Sequence, residues 1–196
     1  MKTNTCLLFL LSLLFFQCNK ASEVTPVAPK VDYDKRSIQI MQEVSPSLLG
    51  DWKIRRLAIK AQPYQVGQRE LKIVRDTVFQ DFATLSIRQG APRRSVPDPR
   101  YANFEGFLRF RTKTYPIQFE LMASPNRIVD NTGPQAIFLL EYNFPPGSHP
   151  TEPEEMFLQY IGFMQENFSL EIVPGQPTMV WQGSNRGIDK IELQKQ

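Results

Sequence analysis

The chain is poor in the residues that carry most enzyme chemistry. Its 196 residues include one histidine and two cysteines, Cys6 and Cys18, both near the N-terminus. One histidine cannot assemble a multi-histidine zinc centre. His149 stands in Pro145-Pro146-Gly147-Ser148-His149-Pro150, a stretch that reads as a solvated loop and not as the rigid seat of a catalytic base. GxSxG, the Walker glycine loop and the dinucleotide glycine fingerprint are all missing. No long 3.6-period segment follows residue 48, which argues against a parallel α/β fold, whose crossovers need helices of several turns. Charge of one sign is also scarce. The formal net charge is +3, and cations alternate with acids, as in Arg69-Glu70-Leu71-Lys72. Arg55-Arg56 and Arg93-Arg94 are the only adjacent arginine pairs, too few for a nucleic-acid-binding stripe.

The carboxylates do not fill the gap. Glu152, Glu154 and Glu155 could attract calcium, but the prolines among them break any loop-ligand spacing, so a solvated acidic turn is expected. Glu105 and Glu120 could face one another like a glycosidase pair, yet both fall on the wet face of their segments. The expectation is no catalytic residue, no metal and no cofactor.

What is present begins at the N-terminus. Lys2 precedes an almost unbroken apolar run from Cys6 to Phe16. That run is shorter than the roughly 20 residues of a spanning helix and fits the h-region of an export signal. It stops at Gln17-Cys18 and turns polar at once. The arrangement resembles bacterial lipoprotein signals of the loose Bacteroidetes type, with Gln17 where a small residue is usual. The resemblance implies cleavage before Cys18, a diacylglycerol thioether on its sulfur and an acylated amino group; multiple acyl chains give the stable anchoring that one cannot. A plain signal peptide whose h-region contains cysteines is the alternative. On the lipoprotein reading residues 1–17 are the signal, the mature chain has no free thiol, and cysteine nucleophiles, cysteine-ligated zinc, iron–sulfur clusters and CxxCH haem are excluded.

Residues 18–47 read as a lipidated tether followed by a lead segment. Lys35–Glu43 is either a short helix stopped by Pro46, with Ile38, Met41 and Ile40 inward, or a short strand through Ile38 and Ile40. Residues 48–196 read as strands. The candidates are Asp51–Lys60, Glu70–Phe79, Phe82–Arg88, Asn103–Lys113, Tyr115–Ala123, Ala136–Phe144, Met156–Met164, Ser169–Val173, Thr178–Gln182 and Lys190–Lys195. Alternation is clearest where Phe104, Gly106, Leu108 and Phe110 share one face and where Ile117, Phe119, Leu121 and Ala123 share another, which predicts an antiparallel hairpin. A β-sandwich or a closed barrel fits. A meander that closes is favoured, because closure removes exposed edges.

Leu48-Leu49-Gly50-Asp51-Trp52 resembles the Gly-x-Trp opening of lipocalins and of the lipocalin-like domains of Bacteroidetes lipoproteins. Met179-Val180-Trp181-Gln182 and Lys190-Ile191-Glu192-Leu193 are similar to their closing strands. The resemblance covers residues 48–196 and implies an all-β, single antiparallel lipocalin-like β-barrel. It implies Trp52 packed across one end after Gly50, with a basic residue over the ring: Arg186, or equally Lys190.

Two functions fit such a barrel. The fourteen phenylalanines, less those of the signal, could line a cavity for a small hydrophobic molecule or fill a solid core. The doubly apolar run Ile137–Phe144 and the proline loop Gln89–Arg100 suggest instead a partner surface of Arg93, Arg94, Phe138, Leu140 and Tyr142. No polar groups converge in the inward rows as an oriented ligand would require. The favoured expectation is a non-catalytic lipoprotein held to the outer membrane by its acyl chains, on its periplasmic or cell-surface side, docking on an envelope protein. A carrier of a hydrophobic ligand is the alternative.

Overall fold

In the computed structural model, residues 30–148 and 152–196 are described; Cys6, Cys18, His149 and the part of the expected tether before Lys30 lie outside them. Eight strands follow one another: Gly50–Ile59 (β1), Thr77–Gln89 (β2), Tyr101–Phe110 (β3), Lys113–Ala123 (β4), Ala136–Tyr142 (β5), Glu166–Ile172 (β6), Thr178–Gly183 (β7) and Ile188–Lys195 (β8). Each pairs antiparallel with the next, and β8 returns to β1 with Trp52 opposite Lys195 and Leu57 opposite Ile191. The result is a closed up-and-down barrel, the lipocalin-like architecture expected from the sequence.

The inward rows fall where alternation put them. In β3 the buried residues are Phe104, Gly106, Leu108 and Phe110, and β4 buries Tyr115, Ile117, Phe119, Leu121 and Ala123. The two strands join through a tight turn at Arg111-Thr112, with Arg111 at φ 55° and Phe110 opposite Lys113. In β1 the phase changes. Trp52 and Ile54 point inward, then Leu57 and Ile59 do, because the register with both neighbours slips between Ile54 and Arg56. The bulge places Arg55 and Arg56 outside together.

Ten expected strands become eight for two reasons. Glu70–Phe79 and Phe82–Arg88 are not separate strands: Glu70–Asp76 is helix end and loop, and Thr77–Gln89 joins the last three residues of the first to the second, with its irregularity at Asp81, φ 47°. Met156–Met164 is not a strand at all. Pro153–Tyr160 is helical, started by a capping box between Glu152 and Glu155 with Pro153 in the first turn. Two turns of helix are too few for a 3.6-residue period to be counted.

The helices are Tyr33–Leu48 (α1), Val66–Glu70 (α2), Pro125–Val129 (α3) and Pro153–Tyr160 (α4). Asp32 caps α1 by accepting from the Lys35 amide at 3.1 Å. Its inward stripe is Ile40, Met41, Val44 and Leu48, all under 4% exposed. Pro46 does not stop this helix as expected. It sits in the last turn, and Gln42, whose carbonyl loses its donor, lies on the exposed side where water can replace it. α1 packs on β3, β4 and α3 and plugs one end of the barrel, while α2 packs on α4 at the other. Residues Val31–Gln196 form the packed unit, so the boundary expected at Leu48 falls inside it.

Candidate docking surface

The barrel axis is filled. Phe104 stacks on Phe119 with centroids 5.1 Å apart, Phe119 meets Phe138 at 4.8 Å, and Phe138 meets Trp181 at 4.9 Å and Phe168 at 5.6 Å. Phe163 continues the column from Phe168 to Phe82, and Phe82, Phe110 and Phe157 complete it under α4. Each such ring contributes about 1.5–3 kcal/mol by burial, and favourable ring pairs add about 0.5–1.5 kcal/mol. Among the described residues seven of the eleven phenylalanines are buried in this core, while Phe107 is exposed on the outer wall.

Both ends are sealed. At the α1 end Trp52 is fully buried and its Nε1 donates to the Leu48 carbonyl at 2.8 Å. Gly50 turns the chain from α1 into β1 at φ 117°, a conformation that favours glycine. The cation over the Trp52 ring is Lys195, with Nζ 5.4 Å from the centroid. Neither expected residue takes that place. Arg186 lies at the opposite end, where its guanidinium donates to the carbonyls of Met164 at 2.8 Å and Gln159 at 3.1 Å. Lys190 pairs with Glu192. The reason is topological: β8 begins at the α4 end, so only its last residues reach Trp52.

The α4 end also holds a carboxylate that the sequence reading missed. Glu166 is 0% exposed and accepts from the backbone amides of Ser184, Asn185 and Arg186. The turn Gly183–Gly187 is legible in the sequence, but its acid comes from β6 and only the register of β6 with β7 brings it there. Nearby, burial pushes the Tyr115 hydroxyl up to about 12, helped by Glu152 and Glu155; burial raises Tyr142 as well.

The outer wall carries the remaining candidates. Phe138 and Leu140 were expected on a partner surface, but they are 3% and 0% exposed and belong to the core. Tyr142 is half-buried and stacks on Phe144 at 4.8 Å. The apolar residues that β4 and β5 turn outward are Met122, Ile137 and Leu139, which floor a groove of about 430 Å³. The proline loop between β2 and β3 folds over its rim. Arg93 pairs with Glu141 at 2.8 Å, and Arg94 holds Glu120 through two nitrogens at 2.9 and 3.3 Å with its guanidinium 3.8 Å over the Tyr101 ring. Arg93 and Arg94 therefore strap the loop to the wall. Arg100 ties the same loop to α1, bridging Asp98 at 2.7 Å and Asp34 at 2.8 Å. The Arg100 side chain and amide hold the Asp98 carboxyl down to about 2.

Among the described residues no three or more His, Cys, Asp or Glu are grouped to hold a metal, and no helix is long and apolar enough to cross a membrane. No family model, no curated protein and no solved structure matches this chain.

Proposed function

We propose that the chain is a non-catalytic lipoprotein of the lipocalin-like kind, anchored in an outer membrane through acyl groups on Cys18, whose barrel docks on an envelope protein complex. The observation that carries the docking reading is the filled barrel. With the axis occupied from Phe104 to Phe157 and both mouths closed, the molecule offers partners its outer surface and not an interior. The anchoring half rests on the sequence around Cys18. The two halves are tested separately.

Full-length protein labelled with palmitate in its own cells should carry the label and fractionate with outer membranes, and Cys18→Ala should do neither. Mild detergent extraction of the acylated protein should bring down one defined protein partner at stable stoichiometry. Native mass spectrometry of the same preparation decides between docking and carriage. Recovery of one apolar ligand at near-unit stoichiometry with no protein partner would overturn the docking reading in favour of a carrier.

A further inference from the structure

The loop from Ala61 to Asp76 joins β1 to β2 at the α4 end and is built from within. Its base is closed by the Ala61 amide donating to Asp76 Oδ1 at 2.9 Å. Beneath it Gln68, 0% exposed, accepts from the Gln62 amide at 2.7 Å and donates to the Lys60 carbonyl at 3.1 Å. Leu71 and Ile73 pack on the core, and Gly67 rests on the backbone of Tyr160 so closely that a Cβ there would strike it. A compact surface loop with its ends together and its own packed interior is a frequent carrier of function.

This anchored loop turns outward the most exposed large apolar side chain among the described residues. Val74 is 83% exposed, Tyr64 74% and Val66 59%. Among the same residues Arg69, Lys72 and Arg75 are exposed, and none has an ion pair among the described residues. The cations flanking the loop do: Arg56 pairs with Glu192 at 3.4 Å and Lys60 with Asp189 at 2.6 Å. Exposed apolar side chains near cations that outnumber Glu70 and Asp76 by one lose hydration and gain Coulomb energy when an acidic surface with an apolar patch covers them.

We propose that the Ala61–Asp76 loop is the docking element of this barrel and that it binds an acidic protein surface, with Tyr64, Val66 and Val74 entering an apolar patch and Arg69, Lys72 and Arg75 meeting carboxylates. The proposal rests on the docking reading above and names its surface and partner. Two observations favour protein over an anionic lipid surface. Glu70 and Asp76 stand among the three cations, which suits patterned charge better than a uniformly negative plane. The chain also enters the barrel at the other end, where Asp34 and Arg36 of the first turn of α1 hold Arg100 and Asn131.

The test uses full-length protein in its own cells carrying the photo-crosslinker p-benzoylphenylalanine in place of Tyr64, Val74, Tyr33 or Phe107. Tyr33 reports the α1 end and Phe107 the outer wall. The expected result is crosslinking from positions 64 and 74 to one protein, through a segment rich in Asp and Glu, at about tenfold or more over positions 33 and 107. Combining R69E, K72E and R75E should abolish it without changing the melting temperature. Crosslinks to protein from 33 or 107 alone would overturn the loop assignment and leave docking intact. Crosslinks from 64 and 74 to lipid, with purified protein binding phosphatidylglycerol-containing vesicles through the same three cations, would assign the loop to a membrane. Absence of protein crosslinks from all four positions would overturn both the loop and the docking reading.

Discussion

The two ends of the barrel are closed by different means. At the α1 end one long helix lays Ile40, Met41, Val44 and Leu48 across the mouth, and the Trp52 indole joins helix to barrel through the Leu48 carbonyl. At the α4 end two short helices and a loop share the work. Their polar anchors are a few side chains, Gln68 and Asp76 for the Ala61–Asp76 loop and Glu166 and Arg186 for the turn after β7. The α1 closure rests on one helix; at the α4 end Phe157, Leu158 and Ile161 join the core, and the Ala61–Asp76 loop is a layer pinned against α4. A closure that shares the core should fail only with the whole fold. A pinned layer can open while the barrel persists, as local openings commonly do where few apolar contacts hold a segment.

The largest expected effect tests the first half of that contrast. Trp52→Ala removes a fully buried ring and the donor to Leu48 together, and large aromatic truncations in cores cost about 3–5 kcal/mol. The melting temperature should drop on the order of 10 °C, with α1 and the strands lost in one transition. Differential scanning calorimetry with far-UV circular dichroism checks this. Two separate transitions in the variant would mean that α1 is an appendage and not part of the core.

Gln68→Ala probes the other end and should behave differently. It leaves the Gln62 amide and Lys60 carbonyl without their partner, and stranding such groups costs about 1–3 kcal/mol, less where water can enter. The expected outcome is a loss of about 2 kcal/mol, confined to amide exchange in residues 61–76, with barrel amides protected as before. Uniformly faster exchange across β1 to β8 would erase the distinction between the two ends.

The sequence makes the barrel visible and hides its closures, for a physical reason. Period-two alternation in β3 and β4 is a local pattern that any half-buried strand must show, so Phe104–Phe110 and Ile117–Ala123 could be read directly. The extent of α1 could not, because Pro46 is tolerated only by virtue of its exposed position in the last turn, and Leu48 is buried only once the barrel lies beneath it. Nearness to the last strand in sequence points to Arg186 or Lys190 as the partner of Trp52, but it does not say which end of that strand meets Trp52. Phe138 and Leu140 looked available because their strand is apolar on both faces, and facing direction is set by register with β4 and β6. The exposed loop was half hidden in an expected strand at Glu70–Phe79, since Ile73, Val74, Val78 and Phe79 have the composition of one.

The smallest effect concerns the proline loop, which the α1 end recruits through Arg100. Asp98 receives its hydrogen bonds first from the Arg100 side chain and then from the Arg100 amide, and these hold its carboxyl at about 2, below its ordinary 3.8. A depressed carboxylate contributes its stability above the unfolded value and surrenders it as pH falls toward the folded one, so the window here lies between 3.8 and about 2. The group is near the surface, so the consequence should be local. Arg100 should loosen from Asp98, and with it the tie from the loop to Asp34 in the first turn of α1. An NMR titration should show the Arg100 side-chain nitrogen and the amides of Tyr101 and Asp34 moving together in that window while Trp52 and its Nε1 proton stay unchanged. In Asp98→Asn the coupled movement should disappear. If Asp34 moves without Arg100, or Trp52 moves with both, the loop is not a peripheral brace on a sealed end but part of the seal itself.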